Sequence, residues 1–321
     1  VFADAYGKRL VLAIASIWAM CLSLILAALV WAGALTPWFL LAMLFALHLG
    51  RAGKIPAWQA LVQDVVGQRH LASAISLNSV SFNGARTVGP ALGGWIIGLF
   101  GITSVYLLGA LSSLLMFGAS RKLKHAPPEH RPTAASLYKD LREGAYFVAT
   151  TRDTRVIIAR LGLFVFGTVS IWAFLPLMMR ERFDMNAEDY GLLLAVFGVS
   201  SLLGASLLPK LRRHFSVNQI LTTAGLVYIP GLATVAWGAT PLIVAMGLLL
   251  AGASWVICMV SYNVAMQQIA PNAIRGRVMS FHFLTVQACW ASGSLTIGLL
   301  ASLLGTTLTL SLICLYLFIV V

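Results

Sequence analysis

Charged side chains are scarce in this sequence. Asp, Glu, Lys and Arg make up 10% of its 321 residues and hydrophobic residues 60%, whereas ordinary soluble domains carry roughly 25% charged residues. Together with a mean hydropathy of +0.89, this composition excludes a soluble globular domain. Acidic residues are the scarcest, 10 against 22 Lys and Arg. The positive excess lies in short gaps between long apolar runs, which indicates loops beside a membrane and no nucleic-acid partner.

Motifs for catalysis and metal binding are also missing. The four cysteines lie inside apolar runs without CxxC spacing, which indicates neither a disulfide nor a metal site. No Gly-x-x-x-x-Gly-Lys-Ser/Thr loop occurs, so ATP is not the expected energy source. His-Glu-x-x-His, Gly-x-Ser-x-Gly and paired carboxylates are absent as well, so we do not expect an enzyme. A membrane-embedded enzyme is the weaker alternative.

Long apolar runs occupy most of the chain. About 20 apolar residues cross a bilayer as a helix, and by that measure ten transmembrane helices are predicted. They cover roughly residues 10–31, 37–62, 70–99, 102–123, 155–180, 189–211, 216–238, 240–269, 277–303 and 305–321. No Asp or Glu lies in the middle of any of these spans. A coupling proton would therefore use His48, His282 or a group outside this sequence.

Basic residues occupy every second gap between the apolar runs. Sixteen Lys and Arg lie in one set of gaps, among them Lys8, Arg213 and Arg277, against Arg180 and Arg182 in the other set. Because Lys and Arg accumulate in cytoplasmic loops, the N-terminal end of this sequence and its central loop are predicted to face the cytoplasm. The expected location is the bacterial inner membrane, crossed several times.

A polar segment at residues 124–153 separates four predicted spans from six. Within it, Ala134–Thr150 has one apolar and one charged side, which predicts an amphipathic helix. We therefore expect an N-terminal bundle at 1–123, a cytoplasmic linker at 124–153 and a C-terminal bundle at 154–321.

An internal repeat supports two related halves. Gln59 aligns with Gln267 and Arg69 with Arg277, both at an offset of 208 residues. The second and third predicted helices would then correspond to the eighth and ninth. Four spans before the linker against six after it predict that two further helices precede this sequence.

Two short motifs resemble the major facilitator superfamily of transporters. Residues 3–9 resemble the loop motif Gly-x-x-x-Asp-Arg-x-Gly-Arg-Arg between the family's second and third helices, and the matching positions, a candidate gating motif, are Asp4, Gly7, Lys8 and Arg9. Residues 85–94 resemble the Gly-x-x-x-Gly-Pro-x-x-Gly-Gly motif of the fifth helix, common in exporters, with Ala85 at the first glycine. Its helix-bend positions are Gly89, Pro90, Gly93 and Gly94. The stretches 78–94 and 270–277 are similar to the branch of enterobactin exporters and related transmembrane secretion effectors.

Polar groups inside the predicted spans are the candidates for a substrate cavity or for coupling, because a charge at mid-membrane costs a few kcal/mol or more. Ser79, Asn83 and Arg86 share one face of the third predicted helix, and His48 and Arg51 share a face of the second. Arg51 resembles an arginine of the family's fourth helix. The candidates of the C-terminal half are Tyr262, Asn263, Gln267, His282 and Gln287. Helix–helix hydrogen bonding and core packing are the alternative roles.

The resemblance implies an all-α membrane protein of the major facilitator fold, with ten of its twelve transmembrane helices present. Residues 1–123 would hold family helices 3–6, and 154–321 would hold helices 7–12, the last truncated. It implies a secondary transporter that exports amphiphilic small molecules, such as a siderophore, drug or lysolipid, by alternating access of two bundles. An ion gradient, expected to be protons, would supply the energy without cofactor or metal. The expected partners are the bilayer and the substrate, and the expected oligomeric state is a monomer. The alternative is a non-transporting receptor or scaffold on the same fold.

The predicted orientation can be tested with single cysteines. We expect cysteines placed at Lys8, Lys139 and Arg213 to react only with a reagent inside the cell, and one placed at Asp184 only with a reagent outside, since basic loops stay in the cytoplasm. The measurement is labelling by a membrane-impermeant maleimide in whole cells and in inverted vesicles. Labelling at Asp184 and Lys139 from the same side would contradict this orientation.

Overall fold

Helices account for the regular secondary structure of the part of the chain that the structure describes. The computed structural model describes residues 8–50, 54, 58, 81, 85, 89, 92–122, 134–271 and 274–321, and no strand occurs among them. The helices are α1 Lys8–Trp31, α2 Pro37–Gly50, α3 92–100, α4 Ile102–Lys122, α5 Ala134–Thr150, α6 Arg152–Phe183, α7 Ala187–His214, α8 Val217–Trp237, α9 Pro241–Ile269, α10 Arg275–Leu304 and α11 Thr306–Val320.

Seven of these helices are long and apolar enough to cross a membrane: α1, α4 and α6 to α10. The helices α2 and α11 are apolar but shorter. Most of the span predicted at 70–99 lies outside the described residues, so the total of ten spans stays a prediction. The predicted all-α membrane fold is confirmed by this architecture and by the structural relatives given below.

Local signals explain where the helices of the C-terminal half begin and end. Asp184 ends α6 in the left-handed conformation (φ 49°), which turns the chain within three residues. Asn186 then caps α7, accepting from the backbone N–H of Asp189, whose carboxylate accepts from the N–H of Asn186. Ser216 and Gln219 form the equivalent reciprocal cap of α8. Short, capped turns of this kind reconnect consecutive helices within a few residues.

The contacts divide the described helices into two compact units. The first unit holds α1 to α4, and the second begins at Tyr138 within α5 and continues to Val321. In the first unit α1 packs against α4, where Gly109 faces the side chain of Ser23. The Trp18 indole N–H donates to the Ala46 carbonyl at 2.8 Å and so attaches α2 to α1.

The second unit is held together by small residues at helix crossings. An ideal Cβ on Gly204 of α7 would lie 2.6 Å from the carbonyl oxygen of Ala253 in α9, and one on Gly252 of α9 would collide with Ser200 and the Phe197 carbonyl of α7. The Ser201 hydroxyl donates across the same crossing to the Gly252 carbonyl at 3.1 Å. Close backbone approach of this kind drives helix association in lipid, where apolar side chains gain little by leaving the bilayer.

The helix α5 covers the residues predicted to form an amphipathic helix and packs on the ends of other helices. Glu143 forms an ion pair with Arg277 at the start of α10, and Gly144 lies against the Arg277 and Phe281 side chains. Phe147 and Val148 pack into a small cluster around Met266, Ala270 and Val278. Glu143 of α5 thus pairs with a basic residue of α10, while Phe147 and Val148 of α5 are packed against neighbouring helices.

Gly252 provides a test of the α7–α9 crossing. We expect Gly252→Val to lower the free energy of unfolding by about 1–3 kcal/mol, since the added methyl groups would push the two backbones apart. The matched control is Gly298→Val, because Gly298 is exposed and a Cβ there meets no atom within 4 Å. The measurement is denaturant unfolding of the purified proteins in detergent micelles. Equal stability of the two variants would contradict the crossing.

Candidate functional site

Seven of the residues predicted as site candidates or motif positions lie outside the described residues. They are Asp4, Gly7, Arg51, Ser79, Asn83, Arg86 and Pro90. The shared face of the third predicted helix, and a role for the Arg86 charge in a substrate cavity, therefore stay predictions.

Residues of the two predicted family motifs are partly described. Lys8 begins α1, and the Arg9 guanidinium donates to the Arg121 carbonyl at 2.7 Å, which links the start of α1 to the end of α4. Gly94 is buried, whereas a Cβ on Gly89 or Gly93 would meet no atom of the described residues within 4 Å. Gly94 can therefore allow close helix packing at this motif, and the described residues show no such packing at Gly89 or Gly93.

The two histidine candidates have different environments. His48 is exposed on α2, and its Nδ1 lies 2.8 Å from the Leu44 carbonyl one turn earlier. His282 on α10 is only 2% exposed, and its Nδ1 has no hydrogen-bond partner in the described part of the chain. Its ring stands edge-on to Phe283. A buried imidazole nitrogen without a partner is costly unless another group reaches it, so His282 is the stronger functional candidate.

The remaining candidates of the C-terminal half do not converge on one point. On α9, Tyr262 is buried beside the ring of Phe164, while the Gln267 amide donates to Asn263 at 2.6 Å within the same helix. Gln287 on α10 is exposed. The structure therefore brings together Asn263 and Gln267 only.

An aromatic cluster at the middle of the C-terminal helices was not predicted. The Trp172 ring of α6 lies 5.1 Å from the Phe197 ring of α7 and 6.2 Å from the Trp290 ring of α10, and Trp255 of α9 lies 6.2 Å from Phe197. Trp172, Trp255 and Trp290, together with Met259, line a small space that is too narrow for a water molecule. The Trp172 indole N–H has no partner among the described residues. Tryptophan ordinarily lies at membrane interfaces. The positions of Trp255 and Trp290 in the middle of predicted spans were therefore the sequence signal that could have indicated this cluster.

Arg160 is a second residue that the sequence reasoning missed. From α6 its guanidinium donates to the side-chain oxygen of Asn218, to Thr222 at 3.4 Å and to the Val321 carbonyl at 3.4 Å. It also interacts electrostatically with Tyr262 on α9. One cation thus connects α6, α8, α9 and the residue after α11, which is a positioning role and needs no acidic partner.

The chemistry available at these positions is that of binding. No group of three or more His, Cys, Asp or Glu that could hold a metal ion occurs within the residues that the structure describes. Aromatic rings in edge-to-face and tilted arrangements, a thioether and the unpaired N–H donor of Trp172 suit a ligand with a flat apolar part and a polar acceptor.

Comparison with known sequences decides the family. The profile of the transmembrane secretion effectors, a family of major facilitator transporters, matches residues 1–321. The chain belongs to this family. The resemblance stated from the sequence motifs is thereby confirmed.

Curated relatives of this secretion effector chain are similar at low identity. An uncharacterized MFS-type transporter of Bacillus subtilis, YfiS, is 27% identical over 70% of this chain and 56% of its own length. The staphyloferrin A transporter of Staphylococcus aureus is 22% identical over 81% of this chain and 65% of its own. The multi-drug resistance efflux pump PmrA of Streptococcus pneumoniae is 25% identical over 72% of this chain and 58% of its own length. The chain thus spans less than two thirds of the length of these relatives.

Solved structures share the fold. The nucleoside transporter NupG superposes on all of this chain and on 83% of its own, with a TM-score of 0.80 at 14% identity. A human organic anion transporter superposes on 99% of this chain and 77% of its own, with a TM-score of 0.62 at 19% identity. All of these relatives are transporters, which confirms the prediction that the secretion effector chain is not an enzyme.

Arg160 can be tested through stability. We expect Arg160→Ala to lower the free energy of unfolding by about 1–2 kcal/mol, because several oxygen acceptors lose a charged donor where water is scarce. Arg152→Ala, which removes an exposed arginine two turns earlier on α6, should leave stability unchanged. Thermal unfolding in micelles measures both. Identical midpoints for the two variants would show that Arg160 does not connect these helices.

Proposed function

We propose that this secretion effector is a secondary transporter that exports amphiphilic small molecules by alternating access. The substrate class includes siderophores, drugs and lysolipid-like molecules, and the membrane is the bacterial inner membrane with the central linker in the cytoplasm. An ion gradient, with the proton as coupling ion, would drive export by a monomer.

The aromatic cluster of Trp172, Phe197, Trp255 and Trp290 carries this proposal. Its rings come from four helices and leave no space for a water molecule between them, so a bound molecule would have to separate these helices, as alternating access requires. Aromatic faces bind apolar and planar groups with little loss of side-chain entropy, and the unpaired Trp172 N–H would receive one acceptor oxygen or nitrogen. An amphiphilic molecule supplies both kinds of contact.

The staphyloferrin A transporter and the multi-drug efflux pump among the relatives support this substrate class. Both names describe small molecules, but of unlike chemistry. A site made mainly of rings, with few directed hydrogen bonds, is the kind that accepts chemically different molecules.

The coupling group is proposed to be His282. Among the described residues, the membrane-crossing helices carry no carboxylate in their middle sections, so a proton has few acceptors there. The Nδ1 of His282, which is buried without a partner, is one, whereas His48 is exposed on α2. Protonation of a buried imidazole changes its charge and hydrogen bonding together, which can bias two packings of α10.

Transport by Trp172 variants tests the proposal. We expect Trp172→Ala to raise the half-saturating concentration for ethidium export about tenfold, because contacts with the ring and buried apolar area are lost. Trp172→Phe should reverse part of this rise. Trp237→Ala removes an exposed tryptophan at the end of α8 and should change nothing. The measurement is gradient-driven flux in proteoliposomes, repeated with a citrate-type siderophore and lysophosphatidylcholine.

The outcomes separate the alternatives. Flux of one compound that depends on Trp172 supports the transporter and its site. Flux that is equal in all variants would place the substrate path elsewhere. Specific binding without flux of any compound would favour the receptor or scaffold.

A further inference from the structure

An apolar groove runs along the outside of the second unit, between α7, α8 and α9. Its walls include Leu207, Leu211 and Phe215 of α7, Val227 of α8, and Leu249 and Ile257 of α9. The cavity has a volume of about 320 Å³, which is at the lower end of the range of about 300–1,000 Å³ for small-molecule sites. From Leu207 to Phe215 it follows about 12 Å of helix. Most of these walls are exposed, so the groove is open at the surface of the unit.

One end of the groove lies at the α7–α8 turn, where positive charge is concentrated. Lys210, Arg212, Arg213 and His214 occupy the last turn and a half of α7. None of the four makes an ion pair with a residue that the structure describes. Arg212 is half-buried, and its Nε and Nη2 atoms lack any partner there. The basic side chains at this end of α7 thus have no acidic partner among the described residues.

The helix geometry shows on which side of α7 each basic residue lies. Leu207, Leu211 and Phe215 are spaced by four and form one stripe on α7, which faces the groove. At about 100° per residue, Lys210 and His214 flank one side of this stripe and Arg212 the other. Arg213 lies on the opposite side of the helix. Three of the four basic residues therefore lie on the sides of α7 next to the stripe that lines the groove, while none of the four is itself a lining residue.

We propose that this groove binds one anionic phospholipid. One acyl chain lies along the apolar walls, and the phosphate of the head group is held beside Lys210, Arg212 and His214. A lipid explains the apolar groove and the unpaired cations together. A free phosphate ion would leave the groove unfilled, and a zwitterionic lipid would add a positive charge beside the cations. The proposal does not depend on the transport function.

The groove and the charged end can be tested separately by measuring lipid retention. The protein is released from nanodiscs of equal parts phosphatidylglycerol and phosphatidylcholine with matched chains, and bound lipids are counted by native mass spectrometry. We expect the parent protein to retain one phosphatidylglycerol molecule in preference to phosphatidylcholine. Titration of phosphatidylglycerol into delipidated protein gives the dissociation constant.

Cation variants on the two sides of α7 distinguish a site from diffuse attraction. Lys210→Ala should weaken phosphatidylglycerol binding about fivefold, and Lys210→Ala with Arg212→Ala about 30-fold, at the usual contribution of a basic residue. Arg213→Ala is the matched control, since it removes the same charge within the same turn but faces away, and its binding should stay within about twofold of the parent. If Arg213→Ala weakened binding as much as Lys210→Ala, only general surface attraction would be present and the site would be disproved.

Groove variants test the acyl chain. Leu250 lines the groove and is partly exposed, so Leu250→Trp should fill it and abolish retention while all cations remain. Leu242→Trp places the same ring at an exposed position of α9 outside the groove and should retain the lipid. Retention by Leu250→Trp, equal retention of both lipids by the parent, or displacement of the lipid by inorganic phosphate would each overturn the proposal. Size-exclusion profiles identical to the parent show that each variant is folded.

Discussion

The lack of water in the bilayer interior is the constraint on which this structure depends. Every backbone N–H and C=O there must find a partner within the protein, so the spanning segments are helices. Many polar side chains follow the same rule, as the Ser200 hydroxyl does by donating to the Phe197 carbonyl of its own helix. Because apolar side chains gain little by leaving lipid, association depends on close fit. Gly204 and Gly252 provide that fit between α7 and α9.

The features that this constraint imposes locally could be predicted from the sequence. The predicted span 277–303 corresponds to α10 at Arg275–Leu304, and 189–211 to α7 at Ala187–His214. Hydropathy sets the length of a span, and capping residues such as Asn186 set its start, so both signals lie within a few residues of the feature that they determine. The motifs that identify the family are local in the same sense. Fold class and family therefore follow from the amino-acid sequence alone.

The candidate site could be predicted from the sequence only in part, because it depends on how neighbouring helices are aligned along their axes. Nothing near Trp172 in the sequence indicates that Trp290 packs against it, since the two residues are joined only by the crossing of α6 and α10. His48 and His282 were equivalent candidates by composition, and only burial separates them. Arg160 was overlooked because an arginine near the end of a span is ordinarily explained by the nearby interface. The positions with the most polar candidates, at 79–86, stay predictions.

The uneven burial of the helices has a consequence for movement within the second unit. The interlocked crossing of α7 and α9 leaves no space for one helix to slide along the other, so these two helices form a rigid core. Buried positions are numerous along α6, but in α10 they are confined to Val278, His282, Gly293 and Ile297. Because so few of its positions are buried, α10 gains less packing per residue than α6, and we expect it to shift more readily than the α7–α9 pair when the packing of this unit changes.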